Sequence, residues 1–305
     1  MPEAVPLVDV IRNDFLECVH YGSAIALDAS GNRVVDVGDT DSPIFPRSSN
    51  KPMQALGMLR AGMDVDGADL AIAAASHSGE PKHVAQAKSL LSQAGVGPDH
   101  LICPPARPFS SPAAEPDRLY MNCSGKHAGM LLACVSAGWP TDGYEQPDHP
   151  LQKVIRATVE ELTGESVQAI GVDGCGAPIF SASLAGLARA FAKLVTAEPG
   201  TLERRVADAM RAHPDLVGGT GRDDTDLMGS VPGLLMKGGA EGVHVAAMPS
   251  GAAVALKISD GGSRARMPVM TGCLQKLGVD ARIPFEKVLG GGVSQGEVRL
   301  RPGVL

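Results

Sequence analysis

The chain has 305 residues and is 44% hydrophobic, 20% charged and only 3% aromatic. This is the make-up of a globular protein long enough to bury a large core. A formal net charge of -7 leaves no basic field, which argues against nucleic acid as the partner.

In chain order, Met1 to Asp14 carries early acids and lacks the basic-then-apolar order of a secretory leader. Residues 22–28 and 33–37 read as two strands of a hairpin around Ala29-Ser30-Gly31-Asn32. Helices are expected at 83–94, 124–137, 148–163, 181–194, 201–212 and 263–277. Residues 148–163 open with Asp148 and Pro150 and close at Gly164, which is helix start and stop chemistry. Residues 243–248 and 252–258 form a second hairpin around Pro249-Ser250-Gly251, and 297–300 a last strand. Hairpins at both ends around a helical middle predict an α+β layered fold with an antiparallel sheet, organised as one domain over 1–305. The longest charge-free apolar stretch, Ala128 to about Trp139, is too short to cross a bilayer, so no membrane association is expected. Six cysteines at irregular spacing do not make a disulfide framework, which predicts a reduced, cytoplasmic protein.

Three segments carry chemistry. In Arg47-Ser48-Ser49-Asn50-Lys51-Pro52, a helix starts and residues three apart share a face, so Ser48 Oγ and Lys51 Nζ can meet. A lysine whose proton affinity is depressed by burial can activate a serine nucleophile. The alternative is a capping serine followed by a solvated lysine. A second lysine, in Met236-Lys237-Gly238-Gly239-Ala240-Glu241-Gly242, precedes the second hairpin. In serine β-lactamases a K-[ST]-G strand lies beside the S-x-x-K helix, and Gly238 stands here where a Ser or Thr would be. Ala75-Ser76-His77-Ser78-Gly79-Glu80-Pro81 follows a small apolar run and could offer Ser76 or Ser78 to Lys237.

Asn122-Cys123-Ser124-Gly125-Lys126-His127-Ala128-Gly129 packs reactive side chains before an apolar helix, and Asp173-Gly174-Cys175-Gly176 adds a second thiol. Two thiolates can hold zinc with nitrogen, carboxylate or water in the remaining positions, and His127 and Asp173 could complete or orient such a site. Two buried structural thiols are the alternative.

Together with Gly219-Thr220-Gly221-Arg222, these ordered motifs resemble the asparaginase II family, the rhizobial-type zinc-binding L-asparaginases. This class is distinct from the two-threonine bacterial asparaginases and from the Ntn-type. The resemblance covers nearly the whole chain, and the Asn122–Gly129 block is its most specific part. It implies a fold similar to serine β-lactamases and glutaminases, hydrolysis of L-asparagine to aspartate and ammonia, and a homodimer. By motif match it implies Ser48 with Lys51 as one catalytic pair, and Lys237 with Ser76 or Ser78 as the other. Cys123, Lys126 and Cys175 would hold one zinc ion with a water, and Arg47, Gly79, His127 and Asp173 would contact substrate. A penicillin-recognising hydrolase and a non-catalytic zinc- or redox-sensing protein are the competing readings.

Overall fold

The computed structural model describes residues 3–282 and 284–305. Ten strands are found among them: β1 (Val5–Arg12), β2 (Phe15–Leu27), β3 (Arg33–Val37), β4 (Ile170–Val172), β5 (Pro178–Phe180), β6 (Leu235–Gly238), β7 (Val243–Ala247), β8 (Ala253–Ile258), β9 (Lys287–Gly290) and β10 (Val293–Leu300). Ten α-helices accompany them: α1 (Lys51–Arg60), α2 (Gly67–Ala73), α3 (Pro81–Gln93), α4 (Ser124–Ala137), α5 (Pro150–Thr163), α6 (Leu184–Thr196), α7 (Leu202–Ala212), α8 (Pro214–Val217), α9 (Asp223–Ser230) and α10 (Arg266–Lys276).

The main sheet runs β6-β7-β8-β2-β1-β10-β9, with β3 paired to β2, and every pairing in it is antiparallel. The fold is therefore α+β with an antiparallel sheet flanked by helices. Strand β8 (Ala253-Val254-Ala255-Leu256-Lys257-Ile258) is buried on both of its alternating faces, and both α6 and α10 pack against it. A strand covered on two sides reads as a continuous apolar run, which is what this sequence has. The expected hairpins are β2–β3 and β7–β8, and each expected helix is present with its ends moved by a few residues. Strands β1, β4, β5, β6 and β9 lie outside the strands expected from the sequence. The apolar run Leu70 to Ala75, which could read as strand or helix, lies mostly in α2, capped by the Asp66 carboxylate accepting from Gly67 N.

Helix ends follow local chemistry. Ser183 and Thr201 cap α6 and α7 by accepting from Gly186 N and Arg204 N. Gly138 and Gly164 end α4 and α5 at φ 68° and 71°, where only a glycine sits without strain.

Two close approaches bring the chemistry-bearing segments together. A Cβ on Gly57 of α1 would lie 2.8 Å from Ile155 Cγ1 of α5, so the bare backbone lets these helices touch. A Cβ on Gly125, in the first turn of α4, would lie 2.4 Å from the Ile72 carbonyl oxygen of α2. Glycine there lets the start of α4 press on α2, so the Asn122–His127 block meets the Ser76–Gly79 loop. The buried apolar residues of strands and helices form one contiguous cluster beneath these junctions. No helix among the described residues is long and apolar enough to cross a membrane.

Candidate active site

The three lysines singled out by sequence are all interior: Lys51 and Lys126 are 1% exposed and Lys237 is 0% exposed. An unpartnered ammonium in such a place is expensive, so each lysine must be paired or neutral. The partners of each therefore define the site.

Lys51 opens α1, immediately after the short 3-10 turn Arg47–Asn50. Its Nζ lies 2.9 Å from Ser76 Oγ, 2.5 Å from the Ala75 carbonyl and 3.5 Å from the Asn122 carbonyl. Nζ donates to all three, two carbonyls and one hydroxyl, so the amine is fixed against Ser76 Oγ. No hydrogen bond joins Lys51 to Ser48 among the described residues, so the expected direct pair is replaced by Lys51 with Ser76. Ser48 nevertheless shares a cavity of about 160 Å³ with Ser76, Asn122, Arg222, Asp223, Asp224, His244 and Arg266. That volume equals about five waters at ~30 Å³ each, which suits a small polar ligand.

Ser76 and Ser78 separate cleanly. Ser78 is turned from the cavity and donates to the Gly218 carbonyl at 2.9 Å. Gly79 lies at φ 72° against Tyr120 and Pro108 and lines a different groove, beside α3. Between the serines, His77 is buried and bonds to Ser124 Oγ at 2.9 Å, which ties this loop to α4.

Lys237 sits on β6 and reaches neither serine of that loop. It donates to Asp224 Oδ2 at 3.1 Å and to the Gly238 carbonyl at 2.7 Å. Burial lowers its proton affinity to about 8, with Asp224 opposing and the Lys51 charge adding to the fall. Asp224, although desolvated, is held well below the usual carboxylate range by Lys237 and His244. Asp224, His244 and Arg266 escaped sequence reasoning. The Asp223-Asp224-Thr225-Asp226 run reads as ordinary acids at a helix start, and only packing tells that Asp224 is buried.

Arg47 and Asp173, expected to hold substrate, are joined instead to each other, Arg47 Nε donating to Asp173 Oδ1 at 2.8 Å. Arg47 has φ 53°, a left-handed conformation that costs a non-glycine residue of order 1–3 kcal/mol and clusters at functional sites. It stands next to Ser48 in the chain, while the guanidinium groups lining the cavity belong to Arg222 and Arg266.

Cys123, Lys126 and Cys175 converge: all are at most 3% exposed, and Lys126 Nζ lies 3.0 Å from Cys175 Sγ. Cys123 Sγ donates to Asn122 Oδ1 at 3.1 Å, and the nearness of the two sulfurs keeps Cys123 protonated and pushes Cys175 well below the ordinary thiol range, with Lys126 reinforcing the latter. His127 bonds through Nδ1 to the Tyr144 hydroxyl at 2.8 Å. Its Nε2 is buried without a hydrogen-bond partner among the described residues. Among those residues no three imidazole, thiol or carboxylate groups cluster as a metal site, the third donor here being an amine. Two sulfurs and an orphaned imidazole nitrogen nearby are donors of the kind zinc takes, whereas Lys126, though buried, is held protonated by the two thiols and by Asp173 and would join them only on losing that proton.

The profile of the L-asparaginase II family matches residues 8–294. No curated protein matches the sequence. Among solved structures, this chain is similar to a β-lactamase from Mycobacterium bovis, at 14% identity and TM-score 0.46, covering 84% of this chain and 94% of that one. Another is the unliganded simvastatin synthase from Aspergillus terreus, at 14% identity and TM-score 0.43, covering 84% of this chain and 91% of that one.

Proposed function

The chain belongs to the L-asparaginase II family and is a hydrolase, and from that premise we propose that it hydrolyses L-asparagine to L-aspartate and ammonia. The observation that carries this reading is the small polar cavity lined by both Ser48 and Ser76, with Lys51 Nζ bonded to Ser76 Oγ behind it.

In this reading Ser48 Oγ attacks the side-chain amide carbon. Its proton passes through Ser76 to Lys51, the lysine that touches Ser76 Oγ, and the charge Lys51 then carries is felt by Lys237. The tetrahedral intermediate collapses as ammonia leaves with a proton from Lys237. Water then takes the same route in reverse and frees aspartate from the acyl-serine. The substrate carboxylate has Arg222 and Arg266 in the cavity, and Arg47 stands next to the cavity residue Ser48 in the chain; bidentate guanidinium contacts would orient it. Asp173, now paired with Arg47, is the acceptor for the α-ammonium.

Cys123, Lys126 and Cys175 would hold one zinc ion. When bound, zinc supplies a fixed positive charge beside Asn122, which lines the cavity, and so helps to position substrate. A homodimer and a cytoplasmic location belong to the same proposal.

Ammonia release from L-asparagine, D-asparagine, L-glutamine and simple amides tests the reading, with nitrocefin as a control for penicillin-type hydrolysis. Turnover of L-asparagine and none of D-asparagine is expected. No release from any amide would overturn it.

A further inference from the structure

We infer that Asp224 is a positioning residue that holds Lys237 in its protonated form for delivery to the leaving ammonia, with His244 as the third member of the group. This rests on the amidase reading above.

The geometry is specific. Asp224 projects from the first turn of α9 toward the β6–β7 hairpin, where Gly238 pairs with His244 across the strands. One oxygen, Oδ2, accepts from Lys237 Nζ at 3.1 Å. The other, Oδ1, accepts from Gly238 N at 2.9 Å and lies 3.5 Å from His244 Nε2. All three side chains are at most 8% exposed. Asp224 and His244 line the same cavity as Ser48 and Ser76. The opposite nitrogen of His244, Nδ1, is buried with no partner among the described residues. A carboxylate clamped between a lysine and a backbone amide cannot rotate, so it fixes where the ammonium sits.

A structural ion pair would need no cavity. Here the pair borders one, and the lysine is close enough to the Lys51 charge to feel it. The groups facing Lys237 are Asp224 from α9, Lys51 from α1, Arg222 from the turn before α9, and His244 from β7. Burial, Lys51 and Arg222 each favour loss of its proton, and Asp224 alone opposes them. Burial also lowers His244, against Asp224, with Arg266 adding to the fall and Asp223 opposing it. Removing the Asp224 charge leaves the forces that strip Lys237 without their counterweight. Lys237 would then be neutral at a lower pH, and a neutral lysine cannot protonate ammonia as it leaves.

The test uses the intact chain. Lysine labelled with ¹³C at Cε reports the Lys237 midpoint by NMR, assigned by the signal lost in Lys237→Met. The pH profile of kcat on L-asparagine is taken in parallel. Asp224→Asn is expected to lower the midpoint by at least about one unit, and to carry the alkaline limb of kcat down with it. Asp224→Glu should restore part of both. An Asp224→Asn protein whose kcat falls equally at every pH, with an unmoved midpoint, would overturn the assignment and leave Asp224 a structural residue. Should Asp224→Asn not fold, Asp224→Glu carries the test alone: its longer arm displaces the carboxylate, so an unchanged midpoint and limb would overturn the inference. Wild-type protein that releases no ammonia sinks the amidase reading, whereas the NMR midpoint judges the Asp224–Lys237 link without any turnover.

Discussion

Lys51 and Ser76 stand 25 positions apart in the chain, yet Nζ of the first lies 2.9 Å from Oγ of the second in the interior. Ser78, two residues further on, is spent on a carbonyl. If one relay joins Ser48, Ser76 and Lys51, then Ser48→Ala, Ser76→Ala and Lys51→Met should each cut kcat by roughly 10³-fold or more. Any two together should be no worse than one, because parts of a unit are non-additive. Ser78→Ala should keep turnover and lose only about 1 kcal/mol of stability. Steady-state ammonia release with a thermal melt separates these outcomes, and losses that multiply would mean that no relay exists.

The contact between α4 and α2 makes a second prediction. Gly125→Ala places a methyl 2.4 Å from the Ile72 carbonyl, a distance no real contact tolerates, so the helices must part. A cost of about 1–3 kcal/mol is expected, with kcat reduced because α4 positions Asn122 while the chain leaving α2 positions Ser76. Gly229→Ala, in exposed helix with nothing within 4 Å of the added methyl, should be neutral or stabilise by roughly 0.5–1 kcal/mol. Urea midpoints for both variants provide the comparison, and equal midpoints would refute the close-packing argument.

Alkaline stability follows from buried thiols outside the site. Burial raises Cys103 and Cys134 to about 11 and Cys273 to about 12. Unfolded thiols lose their protons near ~8.5, so above that the native state binds more protons and stability falls as pH rises. Lys237, lowered to about 8, works in the opposite direction between there and its unfolded value. Burial also lowers Lys257, which acts in the same direction as Lys237, and the three raised thiols outweigh these two lysines. Denaturation in reductant should therefore show stability decreasing between about pH 8.5 and 10.5. Cys273→Ala should flatten the decrease, and a flat profile in the wild type would contradict this balance.

Protein purified without chelator should carry about one zinc per chain, the stoichiometry of a single closed donor set. Cys123→Ser and Cys175→Ser should lose the metal and Lys126→Gln should weaken its retention. Cys134→Ser should keep it, since Cys134 lies further along α4 with no donor beside it. Metal removal should raise KM more than it lowers kcat if the ion positions substrate. Elemental analysis giving equal zinc in all four variants would remove these residues as ligands.

Much of this was legible before the fold was known, and for a physical reason. A lysine near a serine, or between thiols and glycines, is costly to bury, so a sequence that spends residues this way announces a site. All three such lysines are interior. What spacing could not give is direction. Ser48 and Lys51 are three apart, but Lys51 opens α1 toward the end of α2, so its nearest hydroxyl is Ser76. Lys237 looked like a partner for that loop because motif order is one-dimensional, and its true neighbour Asp224 arrives from α9. Arg47 and Asp173 are expected from the sequence to take opposite charges of the substrate, and 126 positions of intervening chain hide that they also pair with each other. Strand β1 escapes a local reading because Met1–Asp14 shows only that it lacks the order of a secretory leader, while its partner β10 lies at the other end of the chain.

That last pairing has a consequence for biogenesis. Strand β1 occupies the interior of the sheet between β2 and β10, with Val8 opposite Leu300. On a ribosome adding ~5–20 residues per second, β1 waits on the order of tens of seconds for its neighbour. During that interval its unpaired edge is a template for any other extended chain. Chaperone occupancy of nascent chains should accordingly persist until the last strand emerges, and expression at low temperature, which slows misassociation, should favour the folded product.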